Sequence, residues 1–71
     1  MTFGQKVKIR RKELGYTQEK LAERVHTTQP YVSRVEKDSF YPSMKMIRKI
    51  SSALNISVDY LLFDDRNGVN T

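Results

Sequence analysis

Apolar residues recur along this chain at intervals of three and four, and no stretch alternates apolar with polar over a strand's length. The pattern predicts five short helices. Phe3, Val7, Arg11 and Leu14 fall on one face of a first helix running from about Phe3 to Leu14, and Gly15 supplies its stop. Thr17 opens a second helix by offering its hydroxyl to a first-turn N–H. In it Leu21, Ala22 and Val25 share a face, while Gln18, Glu19, Lys20, Glu23 and Arg24 occupy the others. Thr28 caps a third helix, placing Gln29 and Pro30 in the opening turn, where a missing N–H does little harm. Val32 and Val35 point inward from that helix, and Gln29, Pro30, Ser33 and Arg34 point elsewhere. After a loop over Lys37 to Pro42, Ser43 caps a fourth helix with Met44, Ile47, Ile50 and Leu54 inward and Asn55 as a left-handed terminator. Ser57 caps a short fifth helix, and Asp59 in its first turn favours the positive end of the dipole.

These segments make an all-α bundle of five short helices with connections of ordinary length. The periodicity ends at Phe63, so residues 1–63 are expected to form the folded domain and residues 64–71 a flexible tail. With 71 residues there is room for one domain, whose modest core should leave it marginally stable. The second and third segments read as two amphipathic helices joined by a tight turn, with Ala22 small enough to let them cross closely. Such a pair is the usual device for laying one helix in the major groove of DNA.

Charge agrees with that reading without deciding it. Thirteen Lys and Arg against eight Asp and Glu give a formal charge of +5, which suits a polyanion but is also common on soluble helical domains. Lys6, Lys8, Arg10, Arg11 and Lys12 crowd the first helix, whereas Asp59, Asp64 and Asp65 lie near the end. The absence of cysteine removes disulfides and thiolate metal sites. No apolar run approaches a membrane span and no signal-peptide core opens the sequence, so a soluble cytoplasmic protein is expected.

Several pieces in order carry a family resemblance: Arg11 followed by GYTQ ending at Gln18, then Leu21–Ala22, then TTQ ending at Gln29 with Val32, Ser33, Arg34 and Glu36 behind it, then Pro42–Ser43, and finally SALNISVDYLL ending at Leu62. From Phe3 to Phe63 the chain resembles the helix-turn-helix family of lambdoid phage repressor and Cro proteins, also called the XRE family. Two positions depart from the family's pattern. His26 stands where glycine is usual in the turn between the second and third helices, at a strain of about 1 kcal/mol if the backbone is left-handed. Thr27 replaces a usual apolar residue.

The resemblance implies a sequence-specific regulator of double-stranded DNA, bacterial or phage-encoded, usually a repressor. It places Thr28, Gln29, Pro30, Ser33 and Arg34 against base edges. The chemistry is compatible, since Gln pairs bidentately with adenine, Arg with guanine, and Pro packs on a thymine methyl. Phosphate contacts are expected from Thr17 and Gln18 at the start of the second helix, and from Lys37, Ser39, Tyr41 and Lys45 around the following loop. Phe40 and Tyr41 are equally readable as apolar lids on the bundle. The resemblance also implies a structural ion pair between Arg11 and Glu36, and a two-fold homodimer on a palindromic operator. Val58, Tyr60, Leu62 and Phe63 offer more apolar surface than a lone short helix needs and are the expected dimer interface, with Leu61 internal.

Rival classes fare worse. His26, Ser33 and Asp38 are near in sequence, yet one histidine, no Gly-rich phosphate loop and no paired carboxylates make catalysis, a resident metal and a cofactor all unexpected. A basic first helix suits a membrane surface, but a stripe used for a bundle core is not free for lipid. The remaining alternative is an antitoxin-type module that binds a protein partner as well as its operator.

Overall fold

The computed structural model describes residues 1–63; the tail expected over residues 64–71 lies outside the described residues. Five helices follow in order: α1 (Phe3–Glu13), α2 (Gln18–Arg24), α3 (Gln29–Glu36), α4 (Met44–Leu54) and α5 (Val58–Leu62). No strand occurs among the described residues.

Each helix begins and ends for a local reason. A hydroxyl stands at every N-cap (Thr2, Thr17, Thr28, Ser43 and Ser57), and each accepts a backbone N–H from the first turn. At Thr2 the Gln5 side chain returns the bond to the cap's own N–H, completing a capping box. The first four helices all terminate through one left-handed residue: Gly15, His26, Asp38 and Asn55, with φ of 76°, 61°, 58° and 55°. In each case that residue's N–H bonds three residues back and the next N–H bonds five back, closing the last turn in a Schellman arrangement. His26 therefore adopts the left-handed conformation expected of the glycine it replaces. Asp38 does the same within the loop, with no glycine or asparagine nearby to mark the turn.

Phe3, Val7, Leu21, Ala22, Val25, Val32, Val35, Ile47, Ile50, Leu54 and Leu61 form one continuous core. Helix α3 packs against α2 and α1, α4 closes the base beneath α1 and α2, and α5 rests on α1 and α4. Ala22 is almost fully buried, which lets α2 and α3 approach closely. Gly4 serves the same end between α1 and α3. A β-carbon there would stand 2.5 Å from the Val35 carbonyl oxygen, 2.6 Å from that of Glu36 and 2.8 Å from an Asp38 carboxylate oxygen. The start of α1 is thus seated on the end of α3. Asp38 fastens the joint, accepting the Gly4 N–H at 2.8 Å and the Thr2 hydroxyl.

Two residues sit differently from their pattern. Met44 shares the spacing of Ile47 but is exposed, because first-turn side chains lean toward the N-terminus and off the end of the helix. Lys6, counted within the basic cluster of α1, is 1% exposed. It lies three residues after Phe3 and one before Val7, on the buried stripe rather than the solvent face. Its ammonium donates to the carbonyl oxygens of Tyr60 (2.7 Å) and Phe63 and rests 4.8 Å from the centre of the Tyr60 ring. That cation secures α5 and is not available to an outside anion.

Candidate nucleic-acid interface

Helix α3 divides cleanly around its axis. Val32, Val35 and Glu36 are buried, Gln29, Tyr31 and Ser33 are half-buried, and Pro30 and Arg34 are exposed beside the exposed cap Thr28. The residues expected at base edges therefore share one surface at the front of α3. Pro30 sits in the first turn, where helix geometry leaves no internal acceptor for the N–H it lacks.

The charges behind this surface are arranged by the fold. Between Thr28 and Lys49 the acids are Glu36 and Asp38, and both are tied to α1. Arg34, Lys37, Lys45, Arg48 and Lys49 in the same stretch are left without an acidic partner in the described structure. The sequence-expected phosphate residues Lys37, Ser39, Tyr41 and Lys45 are all exposed around the α3–α4 loop.

The aromatic pair of that loop splits its roles. Phe40 meets Tyr31 edge-on with ring centres 5.1 Å apart, covering the flank of α3. Tyr41 lays its ring against Phe3 at 5.2 Å, yet 61% of it stays exposed. Burial raises the Tyr31 phenol above its ordinary pKa.

Beneath the outward face lies a chain of polar contacts. Arg11 grips Glu36 with two parallel bonds, Nε to one carboxylate oxygen at 2.6 Å and Nη2 to the other at 3.1 Å. Its remaining Nη1 donates to the Tyr16 carbonyl at 2.7 Å, tying down the α1–α2 turn. Glu36 also accepts the Gln18 amide at 3.0 Å, and Gln18 in turn accepts the Gln29 amide at 2.6 Å. Gln18, at the start of α2, and Gln29, at the start of α3, are thus joined directly, and both connect to the buried ion pair. Gln18 and Glu36 are 18 residues apart, and nothing in the sequence announces their contact. Thr17 accepts the Lys20 N–H as a cap and keeps its own proton for another acceptor.

On and beside α5, which packs on α1 and α4, the expected dimer residues separate into two kinds. Val58 and Leu62 pack partly against the core, whereas Tyr60 and Phe63 are 41% and 58% exposed. Ile9, which the sequence pattern did not single out, is 45% exposed and lines a shallow cleft with Ile56 and Tyr60. No cluster of three metal-ligating side chains occurs among the described residues, and none of their helices is long and apolar enough to cross a membrane.

The helix-turn-helix family HTH_3 matches residues 7–61, from within α1 through most of α5. The chain belongs to this helix-turn-helix family. Among curated relatives it is 34% identical over 65 residues to the immunity repressor protein of Bacillus phage phi105, covering 92% of this chain and 45% of that one. It is 38% identical over 61 residues to the transcriptional regulator SinR of Bacillus subtilis, covering 84% of this chain and 55% of that one. The chain spans about half the length of these curated relatives. Among solved structures, the phage P22 c2 repressor in complex with a synthetic operator superimposes with a TM-score of 0.87 at 31% identity, over 92% of this chain and 98% of that one. SinR in complex with DNA gives 0.82 at 36% identity, over 87% of this chain and all of the other. The helix-turn-helix of this domain is α2, the His26–Thr27 turn and α3.

Proposed function

We propose that this helix-turn-helix protein is a sequence-specific transcriptional repressor that inserts α3 into the major groove of double-stranded DNA. The reading rests on one observation. The outward residues of α3 are hydrogen-bonding or methyl-packing types, while of the two acids in the surrounding stretch Glu36 is buried against Arg11 and the exposed Asp38 is hydrogen-bonded to the start of α1, leaving a rim in which cations predominate. An acid on that rim would repel phosphate; a cation there gains from counterion release. Gln29 and Arg34 would read adenine and guanine edges, Pro30 a thymine methyl, and Ser33 and Thr28 a neighbouring base or phosphate. Thr17, Gln18, Lys37, Ser39, Tyr41 and Lys45 would hold the phosphates on either side. The similarity to the P22 c2 repressor and to SinR, both solved in complex with DNA, supports a DNA-binding role.

A single α3 reaches only a few base pairs, so we further propose a two-fold dimer on half-sites about one helical turn, ~34 Å, apart. The exposed Tyr60 and Phe63, with Ile9 lining a cleft beside Tyr60, supply an apolar surface at α5. Binding of such a dimer over a promoter would block polymerase.

Selection of binding sites from random duplexes, followed by titration at varied salt, tests the proposal. A palindromic site is expected. Substitution Arg34→Ala should relax preference at one base pair by about 1–3 kcal/mol, and Lys45→Ala should weaken all sequences alike and lower the salt slope by about 1. Duplexes that leave the NMR signals of Gln29, Ser33 and Arg34 unmoved at low ionic strength would refute it. Sedimentation showing only monomer, free and on the selected site, would remove the dimer alone.

A further inference from the structure

Glu36 is buried inside the domain, yet its hydrogen bonds reach the outward face of α3 through two amides. We propose that Glu36 is the positioning residue for base recognition, fixing through Gln18 which end of the Gln29 amide faces the DNA. The inference rests on the DNA-binding reading above and names a determinant of its specificity.

The argument is one of donor and acceptor polarity. An amide's oxygen and nitrogen have nearly the same shape, so its orientation is set by its partners. Both oxygens of Glu36 already receive Arg11 donors, at 2.6 and 3.1 Å, so the carboxylate acts as acceptor only. Gln18 must therefore turn its nitrogen toward Glu36 and its oxygen away. That oxygen faces Gln29, so Gln29 must in turn donate its own nitrogen inward. What Gln29 then presents outward is its carbonyl oxygen and one remaining N–H. This is the pair that matches adenine, whose N6 amino group donates and whose N7 accepts. Guanine offers two acceptors, O6 and N7, and would meet the Gln29 oxygen with like polarity. An untethered glutamine turns its terminal amide over easily, because that torsion is broad and two-fold. The fixed negative charge of Glu36 removes this freedom. Arg11 holds Glu36 in place, so the ion pair joining α1 to α3 also sets the polarity of the recognition face.

The test begins with the selected duplex, in which the base pair read by Gln29 is the one whose preference is lost in Gln29→Ala. Binding of the wild type, Gln18→Met and Glu36→Gln is then measured on duplexes carrying adenine or guanine at that position. Gln18→Met leaves the Arg11–Glu36 pair intact and therefore keeps the fold, which the amide NMR spectrum verifies. Glu36→Gln permits the whole relay to reverse. The wild type should favour adenine by tenfold or more. Both variants should bring that ratio to within about threefold of unity while preferences at the Arg34 position stay unchanged. If Gln18 only held a phosphate, Gln18→Met would weaken adenine and guanine duplexes equally and keep the ratio, which overturns the inference and leaves DNA binding standing. A wild type that binds no duplex overturns the DNA-binding reading and this inference together.

Discussion

Helix α1 buries two cations, Arg11 and Lys6, and their surroundings differ in kind. Arg11 meets a carboxylate in a bidentate pair whose Glu36 bonds Gln18 beneath the proposed recognition face. Among the described residues Lys6 meets no acid: it is held by the Tyr60 and Phe63 carbonyls and by the Tyr60 ring, at the end of α5. A buried ion pair brings a mutual dependence, because removing either member leaves the other charged and unsolvated. A cation resting on carbonyl dipoles leaves behind only neutral acceptors when it is removed. The first anchor is therefore fragile but directional, and the second is tolerant. Their positions match this division, since a face that reads bases needs fixed polarity whereas an apolar patch needs only to be held in place.

The comparison can be broken most forcefully at Arg11. Arg11→Met should destabilise the domain by about 3–5 kcal/mol in chemical denaturation, through the stranded Glu36. A loss under about 1 kcal/mol would mean that water reaches Glu36 and the anchor is not dry. Adding Glu36→Leu to Arg11→Met should recover most of that stability, since apolar replacement of both partners is often neutral. The recovered protein should still lack the adenine preference of the wild type, and this separates folding from polarity. Lys6→Met should cost less, about 1–2 kcal/mol for carbonyls left without a donor. A larger loss would place Lys6 in the same class as Arg11. The smallest effect is a control that touches neither anchor. His26→Gly should stabilise by about 1 kcal/mol by relieving the left-handed backbone at φ 61°, raising Tm by roughly 4–8 °C. A lower Tm would show that the His26 side chain stabilises the turn.

How much of this was readable in advance depends on the range of the interactions. Caps are local, so Thr17, Thr28, Ser43 and Ser57 could be assigned from a hydroxyl ahead of an apolar-periodic run, and they stand at those positions. Gly15 and Asn55 were legible for the same reason, but Asp38 was not, since aspartate marks caps and turns of many kinds. The candidate base-reading residues lie on one helix within seven positions, so their shared face follows from a period of 3.6. Lys6 reads as a surface cation by its charge, but its place on the apolar stripe is the better guide to its burial. Ile9 escaped notice because a lone exposed apolar residue carries no signal until a neighbouring helix brings Ile56 and Tyr60 to it.

Sequence alone determined where the five helices start, where α1 and α4 stop and which residues α3 turns outward, because caps, periodicity and backbone preference act within a few residues. Tertiary structure alone decided that Gln18 would bridge Glu36 and Gln29, that Asp38 would cap α1, and that Lys6 would be sealed beneath α5. These contacts join residues between 11 and 57 positions apart. Hydrogen bonds of such span depend on how the helices cross, and that geometry is set by the packing of the whole core.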